Sequence, residues 1–195
     1  DSLGILIADV SGHGIPGAFL ASMTNMAFKQ NVEKSQNCTE LMSALDRILS
    51  AKSVKSMFVT ATYLHLNLSD MKFECCNRGH CRPLLHRRQT GLVHEIGKKG
   101  PPLGIGMDSF GEGTLENQGE ELLSGDRFIL FTDGIVEAIS PDKEEFGEDR
   151  LREVIVESSL LNTHDLLNSI VDAHSSFIKG MERCDDMTLV IIDVL

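Results

Sequence analysis

Three aspartates in this sequence share one local setting, at the boundary of an apolar run. Asp9 closes Leu6-Ile7-Ala8-Asp9 and is followed by Val10-Ser11-Gly12-His13-Gly14. Asp133 closes Phe128-Ile129-Leu130-Phe131-Thr132-Asp133 and precedes Gly134. Asp185, with Asp186 behind it, opens Met187-Thr188-Leu189-Val190-Ile191-Ile192. A carboxylate at the tip of a buried strand is rigid and partly desolvated. Several of them converging would repel one another unless a cation lay between them. Oxygen-only ligands suit hard divalent ions, Mg²⁺ or Mn²⁺, better than zinc. The glycines beside Asp9 and Asp133 let backbone carbonyls and water come close. Taken singly, each site is also an ordinary strand end with a turn.

The elements that must position these residues follow from periodicity. Leu3–Val10 is a continuous apolar run and predicts a buried strand. After the glycine-rich break, Pro16 opens a helix that runs to about Lys34, with Phe19, Met23, Met26 and Gln30 on one face. Met23, Met26 and Met42 read as core residues at helical spacing. Asn37 or Thr39 can cap a second helix carrying Leu41, Met42, Leu45, Ile48 and Leu49. Residues 57–68 alternate as a strand and return through Met71–Asn77. Leu84–Arg88 and Leu92–Ile96 form a second hairpin around Gln89-Thr90-Gly91. Gly97–Gly113 reads as a loop or flap, Thr114–Glu121 as a strand, and Arg127–Phe131 as a short buried strand. Helices over about Glu148–Ser158 and His164–Lys179, the second with Leu166, Leu167, Ile170, Val171, His174, Phe177 and Ile178 as its buried stripe, precede a last strand, Met187–Leu195. Hairpins in the middle with helices grouped early and late predict an α+β fold, an antiparallel sheet covered by helices.

The 195 residues suit one globular domain with a sizeable core, and the net charge of −11 argues against nucleic acid as the main partner. No apolar run is long enough to span a bilayer, and no signal peptide is visible. Five cysteines, two of them adjacent and none in a C-x-x-C pair, indicate reduced thiols and a cytoplasmic location. The chain starts at Asp1, without Met, and opens on a strand. That start predicts a fragment of a longer protein.

The sequence resembles the metal-dependent serine/threonine protein phosphatases of type 2C. The resemblance is to the bacterial branch typified by stage II sporulation protein E and the stress-response sigma-factor regulators. It is carried by ADVSGHGIPGAFLA (8–21), MFVTATYLHLNL (57–68), NRGHCRPLL (77–85), GPPLGIG (100–106), LLSGDRFILFTDGIVEA (122–138), EEFGEDRL (144–151) and DDMTLVIIDV (185–194). These stretches run nearly end to end in the family's order. The resemblance implies an αββα sandwich of two antiparallel sheets flanked by helices. It also implies hydrolysis of phosphoserine or phosphothreonine by a water held between two Mn²⁺ or Mg²⁺ ions.

Matched position by position, the resemblance has Asp9 bridge the metals and the Val10 carbonyl bind the second ion. Asp133 and Asp185 hold the first, and Asp186 hydrogen-bonds or binds a further ion. Gly12 and Gly14 shape the loop, with His13 as a general acid for the leaving oxygen, a phosphate-facing residue or a structural one. The family's acidic segment before the first strand is not matched, so residues 1–195 are expected to be a single phosphatase domain lacking its N-terminal first strand and acidic motif. The second metal is then expected to bind weakly, and the fragment can be inactive. The implied partners are a phosphorylated anti-sigma-factor antagonist and an upstream sensor or regulatory domain. A pseudophosphatase that only binds a partner is the alternative, and a nuclease-like metallohydrolase is disfavoured by the charge.

Other motifs have plainer readings. Asn77-Arg78-Gly79-His80 reads as a structural strand-end turn. The basic stretch 78–99 (Arg78, Arg82, Arg87, Arg88, Lys98, Lys99) is either a docking patch or a solvated pair of hairpins. Asp142, Glu144, Glu145, Glu148 and Asp149 form a solvated loop and a helix start.

Overall fold

Strand-forming runs between tight turns build two sheets. The computed structural model describes residues 1–51, 57–106, 118–181 and 185–195. The expected flap and strand therefore lie outside the described residues at 107–113 and 114–117. Two compact units result: Asp1–Arg82 with Ile96–Leu122, and Pro83–Glu95 with Leu123–Leu195.

In the first unit, β1 (Ser2–Val10) pairs antiparallel with β2 (Val59–Asn67), and β2 with β3 (Lys72–Arg78). Two short strands flank β3. β6 (Lys99–Gly100) is parallel to it and β7 (Gln118–Glu121) antiparallel. Two helices, α1 (Gly14–Asn31) and α2 (Cys38–Ser50), complete the unit. The core joins Leu20 and Ala27 of α1, Leu41, Met42, Leu45 and Leu49 of α2, and Val59, Ala61 and Tyr63 of β2. Asn37 caps α2, its Oδ1 accepting from the Glu40 N–H at 2.9 Å. Inside this unit Arg78 is fully buried, and its Nη2 lies 3.4 Å from the Asp46 carboxylate. Its Nε donates to the Pro101 carbonyl at 2.6 Å.

Two expectations for this unit need correction. β1 is an edge strand among the described residues, and of its side chains only Ile7 is buried. An apolar run alone does not distinguish an edge strand from a central one. On α1 the buried face is Gly17, Leu20, Thr24 and Ala27, whereas Phe19 (65%) and Met26 (60%) are exposed. Both faces of this helix are apolar enough to pass for core.

Four thiols also sit in this unit, of which Cys81 is half-buried. Cys38, Cys75 and Cys76 are free and buried. Burial pushes all three thiols up, that of Cys76 to about 11.

In the second unit the sheet order is β5 (Leu92–Glu95), β4 (Leu84–Arg87), β8 (Asp126–Phe131) and β9 (Leu189–Asp193), all antiparallel. A single turn, α3 (Asp133–Val136), follows β8. Two longer helices follow, α4 (Gly147–Glu157) and α5 (Thr163–Ile178). Every residue of β8 is buried, and α5 buries Leu166, Ile170, His174 and Ile178 at helical spacing. Glu148 and Asp149 occupy the first turn of α4, where negative charge favours the helix dipole. The expected α+β class therefore holds, with the two-residue β6 as a parallel exception. Among the described residues no helix is long and apolar enough to cross a membrane.

Candidate active site

In the first unit the candidate residues sit where β1 gives way to α1. Asp9 lies opposite Thr60 in the β1–β2 register and is half-buried. Its Oδ1 accepts from the Val10 N–H at 2.9 Å. The chain then turns through Gly12 (φ 99°) and Gly14 (φ 74°), in the left-handed region where a Cβ is costly. Ser11 ties this loop to the start of β2. Its Oγ accepts from the Phe58 N–H at 2.7 Å and donates to the Phe58 carbonyl at 2.9 Å. Gly17, one turn into α1, permits the close return, since a Cβ there would lie 2.9 Å from the Gly12 carbonyl oxygen. His13 is exposed and is the N-cap residue of α1, yet its side chain makes no cap bond. No acidic residue occupies the first turn. The positive end of the helix dipole is thus left for another anion or water.

In the second unit Asp133 is the first residue of α3, half-buried at the end of β8. Asp185 and Asp186 are exposed, and the Asp185 Oδ1 accepts from the Asp186 N–H at 2.8 Å. Two neighbours hold this segment against Asp133. The buried Thr132 hydroxyl donates to the Asp186 carbonyl at 3.2 Å and accepts from the Thr188 N–H at 2.9 Å. Gly134 leaves room for the same backbone, since a Cβ there would collide with the Asp186 carbonyl and lie 3.1 Å from its carbon. Glu137, one turn beyond Asp133, has its carboxyl pushed up, first by burial and then by Asp133, Glu145 and Asp185. Acidic groups of this unit therefore already repel one another, and their hard oxygen donors fit a divalent cation.

The structure thus brings Asp133 and Asp185 together, and it places Asp9, Val10, Gly12, His13 and Gly14 on one loop of the other unit. Among the described residues no three His, Cys, Asp or Glu side chains are grouped as a complete metal cage. Ser11, Gly17, Thr132 and Glu137 escaped sequence reasoning as individual contributors. The three-residue step from Gly14 to Gly17 and the Thr-Asp-Gly triplet were the available signals. His80 is buried, with its Nδ1 2.9 Å from the Thr60 hydroxyl, which fits the structural reading. The basic stretch is not a solvated patch throughout. Arg78 is buried against Asp46, Arg87 pairs with Asp126 at 2.6 Å, and Arg88 donates to the Leu161 carbonyl at 2.9 Å.

This architecture is that of the type 2C phosphatase domains. The SiaA-PP2C domain of Pseudomonas aeruginosa superposes with a TM-score of 0.82 at 16% identity, covering 98% of this chain and 80% of that one. The catalytic domain of the serine/threonine phosphatase PstP, solved with two manganese ions, gives a TM-score of 0.62 at 16% identity, covering 98% and 87%. The chain belongs to the family of stage II sporulation protein E, whose model matches residues 1–195. The phosphoserine phosphatase RsbU of Bacillus subtilis (strain 168) is 26% identical over 98% of this chain and 56% of its own length. The phosphoserine phosphatase RsbP of the same organism is 29% identical over 69% of this chain and 33% of its own length. The chain therefore spans about half of RsbU and a third of RsbP.

Proposed function

We propose that residues 1–195 work as one phosphatase domain that removes phosphate from phosphoserine or phosphothreonine on a regulatory protein of the anti-sigma-factor antagonist type. The observation that carries this reading is the likeness to RsbU, a phosphoserine phosphatase, over 98% of the chain. On this reading the candidate ligands for Mn²⁺ or Mg²⁺ are, within the first unit, Asp9 and the Val10 carbonyl and, within the second unit, Asp133, Asp185 and Asp186. When bound there, Mn²⁺ or Mg²⁺ would activate water and offset charge on the phosphoryl oxygens. The chain's own groups do the positioning. Gly12, Gly14 and the uncapped start of α1 receive the anionic phosphate, as helix N-termini do. His13, exposed beside them, gives a proton to the departing seryl oxygen. Thr132 keeps Asp185 against Asp133. A sensor or regulatory domain controls the activity, a reading supported by the length of RsbU and RsbP beyond the matched region. Free thiols at Cys38, Cys75 and Cys76 support a cytoplasmic setting.

The test is Mn²⁺-dependent hydrolysis of p-nitrophenyl phosphate and of a phosphoserine peptide. Turnover that needs Mn²⁺ and is lost in Asp133→Asn is the expected result. Binding of Mn²⁺ without turnover by the full-length protein would favour the partner-binding alternative, and wild-type turnover by Asp133→Asn would refute the ligand assignment.

A further inference from the structure

A small cavity in the second unit lies apart from the candidate residues of that unit. Its walls are His86, Arg88 and Gly91 from the β4–β5 hairpin and Val156, Ser159 and Leu160 from the end of α4, around ≈ 180 Å³. His86 is opposite Arg127, near the start of β8, whereas Asp133 follows the end of that strand. His86 is 1% exposed, and its Nδ1 has no hydrogen-bond partner among the described residues. Arg127, its cross-strand neighbour, is fully buried and has the same defect at Nη1. Buried polar atoms are costly to leave unpaired, so two on adjacent residues call for a missing partner. Burial, then Arg127 and Arg88, push the His86 imidazole down against the pull of Asp193 and Asp126. The ring is therefore neutral at pH 7 and can offer Nδ1 as a donor.

Charge at this wall is unbalanced. Arg127 is held at two atoms by Asp193, and Arg88 lies 3.7 Å from the same carboxylate. Both guanidiniums also donate to the Leu161 carbonyl. Arg87 and Asp126 pair with each other. Two guanidiniums thus share the Asp193 carboxylate, and a monoanion offsets the one positive charge in excess. The α4 side is apolar at its rim, where Val156 is 49% exposed and Leu160 98%. A cavity of about 150 Å³ accepts benzene, so this one has room for an aromatic ring.

We infer that this cavity binds an organic carboxylate, its charged end toward His86 and Arg88 and its apolar body against Val156 and Leu160. A carboxylate fits better than a phosphate. A divalent anion exceeds the single spare charge, and its oxygens on every side would lose water against Val156 and Leu160. The site does not depend on the phosphatase reading. Two sources carry this chemistry, a free acid and the C-terminal carboxylate of a peptide.

Isothermal titration of the full-length protein tests the inference. The titrants are benzoate, benzamide, and acetyl-Gly-Gly-Phe as its free acid and as its amide. EDTA is present throughout, so that no divalent ion captures the carboxylate. One of the two acids is expected to bind about tenfold or more tightly than its amide, the effect of charge-assisted hydrogen bonds that the amide cannot make. A preference shown by benzoate names a free acid as the source, and one shown by the peptide names a chain terminus; either supports the inference. Arg88→Gln is expected to erase the preference. The Arg88 side chain is 35% exposed, and circular dichroism checks that the variant folds. Arg150→Gln, at an exposed arginine on a different face of α4, should keep it. No binding of either acid, equal affinity for acid and amide, or a folded Arg88→Gln variant that retains the preference overturns the inference. The comparison of acid with amide on the wild-type protein decides it without any variant.

Discussion

Replacing Asp193 with alanine removes the partner of a fully buried guanidinium. Arg127 on β8 is directly opposite Asp193 on β9 and has no exposed side-chain surface. Its Nε donates to Oδ1 at 2.5 Å and its Nη2 to Oδ2 at 2.8 Å, and Nη2 also reaches the Leu161 carbonyl at 2.7 Å. Thr163, at the start of α5, adds its hydroxyl to Asp193 at 3.2 Å. The arrangement ties together β8, β9, the turn before α5 and the first residue of α5. Without the carboxylate, Arg127 keeps its charge and loses most of its compensation. Breaking a buried pair in this way costs about 3–5 kcal/mol. At ~2–4 °C per kcal/mol for a chain of this size, the melting temperature of Asp193→Ala should fall by about 6–20 °C. Thermal unfolding followed by circular dichroism reads this directly. The paired replacement Arg127→Met with Asp193→Leu should recover most of the loss, since apolar substitutes remove both charges together. The pair also leaves a signature in acid. Hydrogen bonding to Arg127 holds the Asp193 carboxyl below its ordinary 3.8. Its stabilising contribution is therefore complete above pH 3.8 and is lost as pH falls through the lower folded value. The double variant should lack that part of the acid transition. A fall of less than about 2 °C in Asp193→Ala would refute the reasoning, because an unpaired buried charge cannot cost so little.

Two further expectations concern the candidate site. Gly134→Val should push the Asp185–Asp186 backbone away from Asp133 and weaken Mn²⁺ binding about tenfold or more, read by isothermal titration, as displaced supports of a metal site do; unchanged affinity would sever Gly134 from the site. Ser11→Ala removes the clamp on Phe58 and should lower stability by ~1 kcal/mol. It should also raise the Km for p-nitrophenyl phosphate more than it lowers kcat, and an unchanged Km would show that the loop keeps its shape without the clamp.

The sequence was most readable where local pattern and tertiary role coincide. Asp133 at the end of β8 was legible because six buried strand residues precede a Thr-Asp-Gly turn, and nothing else fits that order. The stripe Leu166, Ile170, His174 and Ile178 of α5 was legible for the same reason. α1 was misread because its outward face, Ile15–Phe19–Met26, is as apolar as its inward one, and periodicity reports only that a face is apolar. β1 was misread because edge position depends on distant strands. Arg78 looked like surface charge in a basic stretch, while the group that admits it to the interior, Asp46, lies on a helix more than thirty residues earlier. Thr132 and Ser11 act through single hydroxyls reaching backbone far along the chain, at Asp186 and Phe58, contacts without periodic signal.

The buried thiols of the first unit have a chemical consequence. Peroxide attacks the thiolate. With Cys76 at about 11, only about one molecule in ten thousand carries that form at pH 7. Cys38 and Cys75 are pushed higher still. Sulfenic acid formation at these three positions should be negligible even in an oxidative burst. Burial of these thiols should therefore make the interior of this unit slow to oxidise.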